Sequence, residues 1–176
     1  LLERAPWRFR FRFDGEQLRY NYDFRGVPGI GIEPRKASQS EKLQIVADRE
    51  PDDLDAAATP KAKRSTSVIA DVSTIDGIGP VNGTLYVFDR DREIMSRYAQ
   101  SRLIERFLDQ NGGIRVYRDE IRIYNYGEPG DDWLGLDLRR VNSPSRNLSR
   151  NIVIGVIDLK LHESSGLREK TNREGF

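Results

Sequence analysis

The plainest periodicity in the chain lies near its start. Trp7, Phe9, Phe11 and Phe13 alternate with Arg8, Arg10 and Arg12, and a period of two sends aromatic side chains to one face of a strand and arginines to the other. Asp14-Gly15 supplies a turn, after which Leu18, Tyr20, Tyr22 and Phe24 alternate with Arg19, Asn21 and Asp23. Residues 7–24 therefore predict a β-hairpin whose aromatic face belongs to a core. Gly26, Pro28, Gly29, Gly31 and Pro34 then interrupt any regular element, so 25–36 reads as a loop.

Strand-like runs at 43–47 and 66–72 flank a stretch that is acidic at Glu50, Asp52, Asp53 and Asp55, then alanine-rich, then basic at Lys61, Lys63 and Arg64. Such composition buries little apolar surface, and 48–67 is expected to be a mobile loop. Thr84 to Phe88 is a short apolar strand. Beyond it Ile94, Tyr98, Leu103, Ile104, Phe107 and Leu108 fall near one helical stripe, with Asn111-Gly112-Gly113 as the stop. This is the one long helix the pattern predicts. Ile114 and Val116, then Ile121, Ile123 and Tyr124, predict a second hairpin around Arg118-Asp119-Glu120. Residues 139–150 read as a polar, structured loop. Ile152 to Leu161 is apolar on both faces, which places it centrally in a sheet. The expectation is an α+β fold over 1–176: one domain with a mixed or mainly antiparallel β-sheet and one principal helix packed on one face.

Composition narrows the chemistry. The 176 residues include no Cys and one His, which removes thiolate zinc sites, disulfides and a cysteine nucleophile and fits a reducing, cytoplasmic setting. The longest apolar run is far short of the roughly 20 residues that span a bilayer, so no membrane partner is expected. Lys and Arg number 29 against 28 Asp and Glu, leaving a net charge of +1. Any attraction for nucleic acid must therefore come from local patches.

Four constellations have chemical content. Gly26-Val27-Pro28-Gly29-Ile30-Gly31 has the GxxGxG spacing of some phosphate loops, but Pro34 and the polar run Arg35 to Glu41 follow where a helix should start, so a plain glycine loop is expected. Glu128, Asp131, Asp132 and Asp137 have no calcium-loop spacing and lie near Arg139 and Arg140, which predicts an ion-paired loop and no metal site. His162 reads as a surface residue. Arg8, Arg10 and Arg12, with Arg4 and Arg19, could meet phosphates, which makes a nucleic-acid-binding module the alternative function. Finally, Arg168, Lys170 and Arg173 around Thr171-Asn172 form a short basic cluster able to set a point charge against a phosphate.

Over 112–119, 126–137, 139–141 and 167–176 (Leu-Arg-Glu-Lys-Thr-Asn-Arg-Glu-Gly-Phe) the sequence resembles the region downstream of the ATP-binding domain in large bacterial proteins of the gyrase, heat-shock-90 chaperone, histidine-kinase and MutL ATPase superfamily. The resemblance is dense over 80–176 and weaker before. It implies a transducer-like domain, similar in fold to the second domain of ribosomal protein S-five and cut from a longer chain. It also implies that Lys170 contacts the terminal phosphate of ATP held by the preceding domain, with Thr171, Asn172 and Arg173 shaping its loop and Arg139, Arg140 and Arg146 facing that domain. ATP and Mg would belong to the parent protein, whose N-terminal ATP-binding domain is the expected partner, together with a second copy of the chain. The superfamily's helix with Glu and Asn and its DxGxG turn are absent, Asp76-Gly77-Ile78-Gly79-Pro80 having a different spacing. These residues are therefore expected not to bind or hydrolyse ATP alone.

Overall fold

The hairpin forms where the alternation places it. In a computed structural model that describes residues 1–42, 77–142 and 148–167, β1 (Trp7–Phe13) pairs antiparallel with β2 (Gln17–Phe24). The turn is fixed by Asp14, whose Oδ1 accepts the Gln17 and Glu16 amides at 2.8 and 3.2 Å. A third strand, β3 (Arg35–Lys42), continues the sheet beside β2. Alternation leaves no mark on it because every residue in it is exposed and all but Ala37 are polar: an edge strand needs only one partner and no apolar face. The runs at 43–47 and 66–72 and the predicted loop at 48–67 lie outside the described residues.

On the other side of β1 lies β4 (Val81–Val87), which begins earlier than its apolar residues suggest. Gly83 sits within it under the Phe11 ring, and a Cβ there would stand 2.1 Å from a ring carbon. The predicted single helix is two: α1 (Arg92–Ser96), capped by the Asp91 carboxylate, and α2 (Ser101–Asn111). Gln100, at φ 132°, breaks the run between them without any Gly or Pro to announce it. Its side chain accepts Arg4 at 2.9 Å, and its carbonyl accepts the Leu103 and Ile104 amides. The break still lets both helices face one core, in which Ala5, Phe88, Met95, Ile104, Leu108 and Ile154 are buried. Ile104 and Leu108 are fully covered, each contributing on the order of 1.5–3 kcal/mol relative to exposure.

Past α2, β5 (Gly113–Arg118) and β6 (Ile121–Ile123) form the second hairpin through Asp119 and Glu120, both at positive φ. Part of the expected polar loop is helical instead. α3 (Leu136–Asn142) starts where the Asp132 carboxylate accepts the Leu136 and Asp137 amides at 2.8 and 2.9 Å, a cap that periodicity over so short a helix does not reveal. The last strand, β7 (Val153–Leu159), is central as predicted, antiparallel to β4 and parallel to β5. The fold is α+β with a seven-stranded mixed sheet in the order β3-β2-β1-β4-β7-β5-β6, and no described helix is long and apolar enough to cross a membrane.

The aromatics of the first hairpin lie on the face opposite α1 and α2, contrary to the expectation of a closed core. Register decides this: Tyr86 and Ile154 meet the helices, and Trp7, Phe9 and Phe11 point the other way with Val87, Leu85 and Gly83. Phe13 and Phe24 are buried, whereas Trp7, Phe9, Phe11, Tyr20 and Tyr22 are half-buried. A groove of about 560 Å³ runs along this face between Trp7, Phe9, Tyr22, Leu85 and Leu148.

Candidate functional site

The stretch that leaves the central strand is held firmly before the basic cluster begins. After β7 a single turn at Leu161–Glu163 brings Ser164 against the segment that enters β4. Ser164 is wholly buried; its hydroxyl donates to the Gly79 carbonyl at 2.7 Å and accepts the Gly79 amide at 3.3 Å. The Gly166 amide donates to the Gly77 carbonyl at 2.8 Å. Gly79 permits this approach, because a Cβ would lie 2.2 Å from the Glu163 carbonyl oxygen. Lys170, Thr171, Asn172 and Arg173 follow directly; they, Arg168 and Arg146 lie outside the described residues.

Arg139 and Arg140 stand on α3, where Leu138 and Val141, three residues apart on one side, are 67% and 77% exposed. The helix is anchored at its base through Asp137. Its carboxylate accepts the Ser149 hydroxyl, the Arg150 amide at 3.0 Å and the Arg150 Nε at 2.8 Å. Partial burial pushes the Asp137 carboxyl up, but the hydrogen bonds of Ser149 and Arg150 and the Arg150 charge outweigh it and hold the group below its ordinary range. The other acidic residues are similarly occupied: Asp131 accepts the Gly127 amide at 2.9 Å, Asp132 caps α3, and Glu128 pairs with Arg122 at 2.5 Å. Glu128 and Asp137 are thus ion-paired, their partners being Arg122 and Arg150. Among the described residues no group of three or more His, Cys, Asp or Glu side chains is arranged to hold a metal ion.

The glycine loop at 26–31 meets an arginine side chain. The Gly29 carbonyl accepts Arg97 at 3.2 Å, and the Arg97 guanidinium fills the space a Cβ would enter. The loop thus packs against the α1–α2 junction, beside Tyr98, whose buried hydroxyl has no hydrogen-bond partner. Burial, and then the nearby Asp89 charge, push the Tyr98 phenol up. His162 is a surface residue as predicted, with 74% of its side chain exposed.

The predicted arginine row divides. Arg8 is spoken for, paired with Asp23 at 3.0 Å. Arg10 and Arg12 are exposed, and Arg19 reaches Asp14 at 3.3 Å. Pairing of β5 with β7 also brings Arg115 onto this face, a residue sequence reasoning left out although it alternates with Ile114 and Val116. No protein-family model, curated protein or solved structure matches the chain.

Proposed function

We propose that this chain is a nucleotide-state transducer segment of a larger ATPase. In this reading it lends the Lys170 loop to a neighbouring ATP-binding domain and relays whether the terminal phosphate is present. The observation that carries it is the clasp between Ser164 and Gly79. A relay needs a phosphate-touching loop attached to a rigid sheet, so that making or breaking the bond to phosphate biases a domain orientation. Ser164 lies six positions before Lys170 and joins the exit of the central strand to the entry of its neighbour, so a pull on the loop would load two sheet strands together.

Lys170 supplies a point charge to the phosphate, and Thr171, Asn172 and Arg173 shape its loop. Arg139, Arg140 and Arg146 face the ATP-binding domain, a role to which the exposed Leu138 and Val141 of α3 lend apolar area. ATP and Mg bind the partner domain. The test restores the ATP-binding domain and compares wild type with Lys170→Ala. Nucleotide binding that persists while turnover falls at least tenfold, about 1.4 kcal/mol of transition-state stabilisation, supports the reading. Equal turnover overturns the assignment of Lys170, and absence of nucleotide binding in the restored wild type overturns the transducer function.

A further inference from the structure

Helices α1 and α2 cover the arginine-bearing face of the sheet at one end only. Tyr86 and Ile154, opposite each other on β4 and β7, pack under them. Two residues further along the same central strand Val156 is 41% exposed, so the cover stops there. Across the open part, strand register sets out two rows. One runs Ser38, Asn21, Arg10, Thr84, Val156 and Arg115; the other runs Ser40, Arg19, Arg12, Asn82, Asp158 and Tyr117.

The chemistry of these rows is one-sided. Arg10 and Arg12 are exposed and have no ion-pair partner among the described residues. Arg19 keeps 58% of its side chain exposed beside Asp14, and Arg115 spends one donor on the Asn111 carbonyl at 3.1 Å without losing its charge. The Asn21 side-chain oxygen accepts the Ser38 hydroxyl at 2.7 Å, which leaves its amide hydrogens for an outside acceptor. Of the carboxylates beside these rows, Asp23 is taken up by Arg8 at 3.0 Å and Arg25 at 3.6 Å and Asp14 reaches Arg19 at 3.3 Å, and Asp158 is the one acid within them. Surplus positive charge and surplus donors together suit an anionic, acceptor-rich partner.

We propose that this open face binds the sugar-phosphate backbone of nucleic acid without reading its bases. Guanidinium forks match phosphate oxygens, and amide and hydroxyl donors add the hydrogen bonds that position a backbone. Arg10 and Arg12 stand about 7 Å apart along β1, and Arg10 and Arg115 about 14 Å apart across three strand spacings, so a polymer charged at every unit meets several cations at once. Tyr117 is the one aromatic in the two rows, and the aromatics of β1 and β2 occupy the opposite face, so the face lacks a run of rings on which successive bases could stack. A lipid surface fits less well: Val156 is the one aliphatic side chain in the two rows, and interfacial binding asks for apolar insertion.

The experiment titrates the full chain, without nucleotide, into a fluorescently labelled mixed-sequence DNA duplex and the corresponding single strand, following anisotropy across a salt series. Engagement of Arg10, Arg12 and one further cation predicts a slope of log affinity against log salt of roughly −3 on duplex. Arg10→Ala/Arg12→Ala is expected to weaken binding at least tenfold and flatten the slope by about 2. Arg92→Ala/Arg102→Ala, which removes the same charge from exposed positions on α1 and α2, should leave both nearly unchanged. Circular dichroism verifies that each variant is folded. Equal losses in the two double variants, a salt-independent affinity, or binding to phosphatidylserine vesicles in place of nucleic acid would each overturn the proposal.

Discussion

Ser164 and Gly79, eighty-five residues apart in the chain, exchange two hydrogen bonds through one buried hydroxyl: O–H to carbonyl at 2.7 Å and N–H to Oγ at 3.3 Å. The Ser164 hydroxyl is wholly buried, so the pair ties the end of β7 to the start of β4 at a site where losing that partner is expensive. Ser164→Ala should cost about 1–3 kcal/mol. Urea denaturation should show a lower midpoint with an unchanged m-value. An unchanged midpoint would mean that the clasp contributes nothing to the fold.

Gly83 and Phe11 are coupled through space. The Phe11 ring occupies the volume above the Gly83 Cα, so Gly83→Ala must displace it, at about 1–3 kcal/mol for overpacking. Because Phe11→Ala empties the same volume, the double variant should be more stable than the sum of the two single losses predicts. A double-mutant cycle in urea checks this; additivity within about 0.5 kcal/mol would refute the coupling.

Asp137 makes stability depend on acid. Its folded carboxyl is held below the ordinary value of 3.8 by Ser149 and Arg150 despite the opposing effect of burial. A depressed folded pKa stabilises the protein above the unfolded pKa, and that contribution is lost as pH falls from 3.8 through the folded value. Asp137→Asn should therefore be less stable than wild type at neutral pH, with the gap narrowing as the buffer is taken below that window. Thermal melts across the acid range give the answer, and a gap independent of pH would show that the charge is not what matters.

Tyr98 works in the opposite sense. Burial, then Asp89, raise its phenol above 10.0, so the folded state resists ionisation and loses stability as pH climbs through the unfolded value toward the folded one. The Tyr98 hydroxyl also lacks a partner. Tyr98→Phe should be neutral or stabilising at neutral pH and should reduce the alkaline loss. Melting temperatures at neutral and alkaline pH test both parts, and a clear destabilisation at neutral pH would show that the hydroxyl is in fact satisfied.

Where side chains alternate strongly, as over 7–24, or remain apolar on both faces, as in β7, the elements stood out from local pattern alone. β3 did not, because an edge strand such as 35–42 buries no face. The break at Gln100 did not either: the apolar stripe runs through it, and the positive φ is held by hydrogen bonds to Arg4 and to the start of α2 rather than by a residue type. α3 depends on a cap from Asp132, which three neighbouring acids made hard to single out.

For the candidate surfaces the division is similar. Sequence alone assigned aromatics and arginines of the first hairpin to opposite faces, and it located the basic cluster at 168–173, because alternation and composition are local properties. Which of the two faces receives the helices was decided only by the pairing of β1 with β4 and of β4 with β7, which sets Trp7 beside Val87 and Val81 beside Leu159 from distant parts of the chain. The same long-range pairing placed Arg115 in line with Arg10 and closed Ser164 onto Gly79, while the register of the hairpin gave Asp23 to Arg8. Local pattern states what each strand can present; only the order and register of the strands determine which presentations meet.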